Sequence, residues 1–362
     1  MSIITPFSSD IFTEVEPNFI NIEREIHHNL ENIFEKFYTN LDIKIKEIKK
    51  SKGIEINSNN FLIETNKDSY LLKLFNGINE CDKKYLEKQY SFVAWIYENK
   101  LPCPRPIKNK YQKYICDIGN KRFACLMTYI DGSFFPGIDV YNIREIGETV
   151  GKFHCILNSA PEELMPKKKY THLSQLDLEN FNEVVSMSGE KLFFFTDSER
   201  NMLLSNRDFL VEIWERVLGG QEEFINSEQG LVHIDIHPHN IIMRNGKISA
   251  FLDFDSLMRG PFKMMFSFSA YKLLRQVVFR DIKRNFLKGM YKYVDEYLDG
   301  VYRYYPDLKA EKKHMAIFVY TEICRRIAII LKLNIQEGNS KWNYVLPIHI
   351  SGLFEVKKLF EQ

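Results

Sequence analysis

Apolar positions recur at helical spacing near the start of the chain. Ile20, Ile22, Ile26, Leu30, Ile33, Phe34 and Phe37 predict an amphipathic helix over residues 19–37 that packs on the elements after it. From Ile43 the period shortens to that of strands. Ile43, Ile45 and Ile48 lead into Ser51-Lys52-Gly53, then Ile54-Glu55-Ile56 and a polar turn at residues 57–60. The runs 61–65 and 70–75 flank a second turn, Asn66-Lys67-Asp68. This alternation predicts an antiparallel meander. A helix over residues 82–99 comes next, and Pro102, Pro104 and Pro106 stop it and force extended backbone. A hairpin around Asp117-Ile118-Gly119-Asn120 then returns through residues 122–130 to Asp131-Gly132.

Beyond that point the pattern is helical. Ile143, Ile146, Val150, Phe153, His154 and Leu157 share one side of a helix over residues 141–157. Residues 160–230 read as mostly helical with polar loops such as 186–190. Further helices are predicted over 266–280, 284–298 and 311–333, with a final segment to Gln362. One hairpin interrupts this series. Ile241-Ile242-Met243 runs into Arg244-Asn245-Gly246-Lys247, and residues 248–254 return. Asn-Gly between two apolar runs is a strong hairpin signal because both residues tolerate positive φ. The expectation is an α+β chain with a small antiparallel-sheet region at residues 1–130 and a larger helical region at 131–362. The boundary falls at the glycine-containing break, as domain boundaries do, and 362 residues exceed a single compact core.

Composition adds exclusions. The net charge is +1 with no acidic or basic tail, so nucleic acid is not an expected partner. Residues 253–362 hold 19 Lys+Arg against 12 Asp+Glu, while residues 1–252 hold 30 against 36. The positive C-terminal part disfavours a polycationic acceptor, or equally marks a solvated helical face. Six cysteines without C-x-x-C spacing point to a reducing compartment. The N-terminus lacks the basic-then-apolar order of a signal peptide, and no apolar run approaches the ~20 residues of a membrane span. A cytoplasmic protein without membrane association is expected.

The chemistry concentrates at residues 231–260. His233-Ile234-Asp235 is followed by Asn240, and the hairpin carries Asp253 and Asp255 back beside them. Carboxylate and amide oxygens suit Mg²⁺, which takes one or two carboxylates and completes its shell with phosphate and water. A further carboxylate can orient a hydroxyl and accept its proton. Protein kinases divide the work in this way. An acidic hairpin end with solvated carboxylates is the plain alternative, disfavoured by the bulky apolar neighbours.

Lys73 lies within an apolar strand, where a charge needs a partner. It reads as a phosphate-pairing lysine or as a lysine on an exposed edge. Glu87 on the next helix is its candidate partner, although counting back from Leu101-Pro102 favours Gln89. No G-x-G-x-x-G is present, so a phosphate-covering loop would be built from Gly53 and the 57–60 cluster, with Asn59 its candidate. An ordinary hairpin turn is the alternative. Backbone groups near Met127, Tyr129 and Ile130 are candidates to read a purine edge. His154 reads as a core hydrogen-bonding residue. Glu322, Arg325 and Arg326 read as a structural ion pair, or face the acceptor.

HIDIHPHN and FLDFD together resemble the signature of the aminoglycoside phosphotransferase and choline kinase family. NSNNFLIET, YLLKLF, LPCPRP, CLMTYIDG and IGETVGKFH support the likeness, which runs from about residue 50 to 260. The resemblance implies a protein-kinase-like bilobal fold and transfer of the γ-phosphate of ATP or GTP to a small-molecule hydroxyl. It makes Asp235 the catalytic Asp, Asn240 and Asp253 metal ligands, Lys73 the phosphate-positioning lysine and His233 a loop brace. A sugar, an amino sugar, or a small amino alcohol or amino acid is the expected acceptor. An aminoglycoside acceptor or a nucleotide-binding pseudokinase is the alternative. Lys263 stands about where family members often carry a further Asp that braces the catalytic loop. A protein kinase is disfavoured by the missing glycine-rich loop and the absence of an A-P-E-like segment.

Overall fold

The computed structural model describes residues 19–22, 24–38, 42–51, 58–77, 80–135, 142–186, 195–280, 290–310 and 312–361. Its first half is an antiparallel sheet with two helices. β1 (Phe19–Asn21), β2 (Ile45–Ser51), β3 (Ser58–Thr65), β4 (Ser69–Asn76), β5 (Pro106–Ile107), β6 (Ile115–Gly119) and β7 (Arg122–Thr128) form it in the order β1-β2-β3-β4-β7-β5, and β6 also pairs with β7. α1 (Arg24–Phe34) and α2 (Glu80–Glu98) complete this half.

The expected meander is present, with two corrections. The first helix was expected from residue 19, but Phe19, Ile20 and Asn21 pair with Ser51, Lys50 and Lys49 as an edge strand. Three residues, Phe-Ile-Asn, are too few to show either period, and pairing along the edge of β2 decides it. The expected turn at 57–60 also differs. Ser58 to Asn60 already belong to the β3–β4 ladder, where Asn59 faces Leu74 and Asn60 faces Lys73. The hairpin into β7 turns on Asn120 and Lys121, at φ 53° and 54°, the backbone of a type I′ turn.

The second half holds β8 (Ser133–Phe134), α3 (Ile143–Leu157), α4 (Gln175–Ser186), α5 (Asp197–Ser205), α6 (Arg207–Gly219), α7 (Gln221–Asn226), β9 (Gln229–His233), β10 (Ile241–Arg244), β11 (Lys247–Phe251) and β12 (Leu257–Pro261). It closes with α8 (Phe262–Arg280), α9 (Met290–Val301), α10 (Lys312–Glu337) and α11 (Leu346–Phe360). The helix expected over 284–298 is described only from Met290, and the loop expected at 186–190 lies mostly outside the described residues. α3 carries Ile143, Ile146, Val150, Phe153 and Leu157 into the main core. It crosses α9 at backbone contact: a Cβ on Gly147 would overlap the Tyr297 carbonyl, and one on Gly300 the Arg144 carbonyl.

The two halves share apolar surface. Phe92, Val93 and Ile96 of α2 join the core built from α3 and the C-terminal helices, whereas α1 and the outer sheet face form a separate cluster. Phe251 N–H also donates to the Pro102 carbonyl at 2.8 Å. These contacts seat the end of α2 against the 241–251 hairpin, so side chains of the sheet and of the helical half meet at fixed distances. Among the described residues no helix is long and apolar enough to cross a membrane, and the five described cysteines are free thiols.

Candidate active site

Two ladders bring the chemical residues together. β10 and β11 pair from Ile241↔Phe251 to Arg244↔Lys247, closed by Asn245 and Gly246 at φ 50° and 74°, as the Asn-Gly signal requires. β12 then pairs with β9, Leu257 opposite His233. The loop after β9, which holds Asp235 and Asn240, is thereby laid beside the loop after β11, which holds Asp253 and Asp255. Leu252 N–H donates to the Asn240 carbonyl at 2.9 Å, and Asn240 Nδ2 donates to the Asp235 carbonyl at 2.9 Å. With its NH₂ committed, the Asn240 amide keeps Oδ1 as an acceptor.

His233 braces this arrangement. Its ring is fully buried, Nε2 lies 2.8 Å from the Leu252 carbonyl, and Ser256 Oγ lies 3.0 Å from Nδ1. Its backbone N–H donates to His154 Nε2 at 3.1 Å, and His154 Nδ1 lies 2.8 Å from the Val150 carbonyl. Burial pulls both imidazoles down, His154 to about 3, so both are neutral. His233 is a loop brace and His154 a core hydrogen-bonding residue, as the sequence suggested.

Asp253 stands at φ 57°, ψ 63°. Left-handed backbone at a non-glycine residue costs of order 1–2 kcal/mol and persists where surrounding structure enforces it. Here it presents the carboxylate to the sheet, with Oδ1 3.8 Å from Lys73 Nζ. Asp255 comes closer: Oδ2 accepts from Lys73 Nζ at 2.9 Å, and Oδ1 accepts from Gln89 Nε2 at 2.9 Å. The expected Lys73–Glu87 pairing is therefore corrected. Glu87 accepts the backbone N–H groups of Tyr114 and Ile115 at 3.1 and 2.9 Å, so it caps the start of β6. Two residues on, half a helical turn, Gln89 is the side chain that faces the cleft. Asp255 itself was visible in the FLDFD run, but nothing in the sequence showed that it would meet Lys73.

Asp235 carries the most elaborate environment. Lys272 Nζ donates to its Oδ1 at 2.8 Å, Arg326 to the same oxygen at 3.1 Å, and His237 Nε2 lies 3.5 Å from Oδ2. Burial acts to raise this carboxyl. Lys272, His237 and Arg326 overcome that effect and hold it well below the usual carboxylate range. Arg326 and Arg325 are in turn fixed by Glu322, which is fully buried and accepts from both at 2.7–2.9 Å and from Tyr170 Oη at 2.8 Å. The two readings of Glu322, Arg325 and Arg326 thus merge, since one ion-pair network reaches the site. Lys272 was missed because a lone lysine on a predicted helix reads as solvated. These cations also hold Asp235 in place, whereas the Asp brace that the resemblance leads one to expect is replaced by Lys263.

The remaining candidates divide. Met127 is buried within β7, paired with Leu71 and Pro106. Tyr129 N–H donates to the Ser69 carbonyl at 2.9 Å. That donor is engaged within the sheet, and Ile130 follows beyond the ladder. Asn59 lies in β3, away from any turn, and Gly53 lies outside the described residues. A cavity of about 540 Å³ opens beside Asp255, bounded by Phe75, Tyr85, Leu86, Gln89, Lys167 and Lys168. It therefore borders α2, on the side of the cleft where Lys73 and Asp255 meet.

Comparison with known proteins bears on the family and the fold. A model of a phosphotransferase enzyme family matches residues 52–264. The homoserine kinase of Zymomonas mobilis subsp. mobilis is 24% identical over 214 residues, 56% of this chain and 57% of that protein. The homoserine kinase of Beijerinckia indica subsp. indica is 21% identical over 231 residues, 63% and 64% of the two chains. The match thus spans about three-fifths of these curated relatives. Among solved structures, a spectinomycin phosphotransferase in complex with ADP and spectinomycin superposes with TM-score 0.67 at 14% identity, covering 92% of this chain and 98% of that one. An aminoglycoside phosphotransferase from Alicyclobacillus acidocaldarius superposes with TM-score 0.57 at 13% identity, covering 91% and 93%. These likenesses establish the bilobal, protein-kinase-like α+β fold.

Proposed function

Since the chain belongs to this phosphotransferase enzyme family, we propose that it moves the γ-phosphate of ATP or GTP to a hydroxyl of a small molecule. The observation that carries the reading is the convergence of Asp235, Asn240, Asp253 and Lys73 from both halves of the chain on one cleft. The division into lobes at 1–130 and 131–362 is part of the same reading. Ser133 and Phe134 pair with the catalytic hairpin, which supports a boundary just before them.

Asp235 stays ionised at neutral pH and orients the acceptor hydroxyl. Its depressed basicity suits a loose phosphoryl transfer, in which positioning matters more than early proton removal. Lys73 pairs with nucleotide phosphate oxygens once these compete with Asp255 for it. Ile130, just past the end of β7, is the backbone candidate to read an adenine or guanine edge. Asn240 and Asp253 fit Mg²⁺: an amide oxygen freed by the Nδ2 hydrogen bond, and a carboxylate held on strained backbone, make a hard-oxygen donor pair. Bound there, the ion would neutralise phosphate charge.

Nucleotides accompany the solved relatives, including ADP in the spectinomycin phosphotransferase and GDP in an aminoglycoside 2'-phosphotransferase. Acceptors among relatives run from homoserine to spectinomycin. Free thiols support a cytoplasmic site of action. The test is ADP or GDP release across sugars, amino sugars, hydroxy amino acids, choline and aminoglycosides, with ATP and GTP in parallel. Acceptor-dependent release is expected. Nucleotide binding without release on any acceptor would reduce the protein to a nucleotide-binding pseudokinase.

A further inference from the structure

The catalytic carboxylate is flanked by more positive charge than its own needs require. Asp235 Oδ1 receives both Lys272 and Arg326, while Arg326 and Arg325 share Glu322. Three permanent or near-permanent cations therefore meet two carboxylates in one connected network. The surplus is not dispersed into solvent: the side chains of Arg325, Lys272 and Arg326 are 17, 19 and 22% exposed. His349, at the same place, adds no balancing charge. Burial, with Arg326, Lys272 and Arg275 around it, pulls its imidazole well below the ordinary value, so it stays neutral. Phe268 lies beneath both cations, its ring 5.1 Å from Lys272 Nζ and 4.9 Å from the Arg326 guanidinium.

The direction of the surplus matters. Lys73, Asn240 and Asp253 serve the nucleotide from the sheet and from the hairpin loops, whereas Lys272 and Arg326 come from α8 and α10. These helices approach Asp235 from the helical half of the cleft, the side left to an acceptor. Uncompensated positive charge in a low-dielectric site is costly and is relieved by an anion.

We propose that Lys272 and Arg326 form an anion subsite, and that the acceptor carries a negatively charged group (carboxylate or phosphate ester) which docks there while its hydroxyl meets Asp235 Oδ2. This rests on the phosphotransfer reading above and gives it a substrate class: a hydroxy acid or a phosphorylated alcohol rather than a polycation. Arg supplies the forked donors that such groups match, and Lys a point charge beside them.

Equilibrium binding in the presence of ADP and Mg²⁺ tests it independently of turnover. The probes are L-homoserine and gluconate, each with its carboxamide, and glycerol 3-phosphate with glycerol. Wild-type protein is expected to bind at least one charged probe about tenfold or more tightly than its uncharged partner. Lys272→Met and Arg326→Gln are expected to bring that ratio to within about threefold of unity, and Lys272→Arg to restore it. A carboxylate preference and a phosphate preference identify the two sources of the anion. Equal binding of every charged and uncharged pair overturns the subsite, even where phosphoryl transfer is active. Charge-selective binding that Lys272→Met and Arg326→Gln abolish supports the subsite even without turnover, in which case only the transfer reading fails. If the variants lower kcat equally for charged and uncharged acceptors without changing KM, the cations serve the phosphoryl group and the proposal is wrong.

Discussion

Glu322 offers the sharpest energetic prediction. It is fully buried, and its carboxylate accepts from Arg325 Nε and a second Arg325 nitrogen, from Arg326 Nε and from Tyr170 Oη. Burial acts to raise its pKa, and the two arginines overcome this and carry it from 4.5 to about 2. That fall corresponds to about 3 kcal/mol of native-state stabilisation at neutral pH. Glu322→Gln keeps the shape and deletes the charge, leaving Arg325 with the Tyr170 ring and Arg326 with Asp235. Because those residual partners soften the loss, we expect about 3 kcal/mol, the lower end of what breaking a buried ion pair costs. The folded pKa lies below the unfolded one, so the contribution is complete above about pH 4.5 and fades as pH falls through about 2. Urea unfolding at pH 7, 5 and 4 reads this directly. Wild type and variant should differ by the same amount at pH 7 and 5, and by less at pH 4. A gap below about 1 kcal/mol at pH 7, or one that widens toward pH 4, would refute the reasoning.

Other perturbations probe different links. Lys73→Ala should weaken nucleotide binding and cut kcat by roughly 10²-fold or more, read by calorimetry and steady-state kinetics. Glu87→Ala, whose carboxylate accepts the Tyr114 and Ile115 amides, should leave kcat within about threefold and lower stability by about 1–2 kcal/mol. Gly147→Ala forces a methyl group onto the Tyr297 carbonyl and should cost about 3 kcal/mol in thermal or urea unfolding. Burial and Arg326 bring Lys272 down to about 8 against the pull of Asp235. The kcat/KM for an anionic acceptor should therefore fall as pH rises through about 8, and Lys272→Arg should move that limb upward.

What the sequence made legible was local. The Asn245-Gly246 turn, the β3–β4 meander and the apolar stripe of α3 each follow from a period or a turn residue, and each is found. The placement of Asp235 with Asn240 follows from spacing within one loop. Long-range partners were not legible. Lys73 meets Asp255 across 182 positions and Asp235 meets Arg326 across 91, pairings that only the packed halves decide. Glu87 shows the limit most clearly. Helical period puts it and Gln89 within half a turn, and only the packing of β6 against α2 determines which faces the cleft. Phe19 to Asn21 mark the other limit, since three residues are too few for a period to be read and a free sheet edge takes them.

The central claim is that the ionised Asp235 aligns an acceptor hydroxyl with a bound nucleotide's terminal phosphate. Acceptor-dependent ADP or GDP release by wild type and Asp235→Asn, with nucleotide affinity measured on the same samples, tests it most directly. The account predicts unchanged nucleotide affinity and release slowed by roughly 10²-fold or more in the variant. Equal release rates in the two proteins would contradict it.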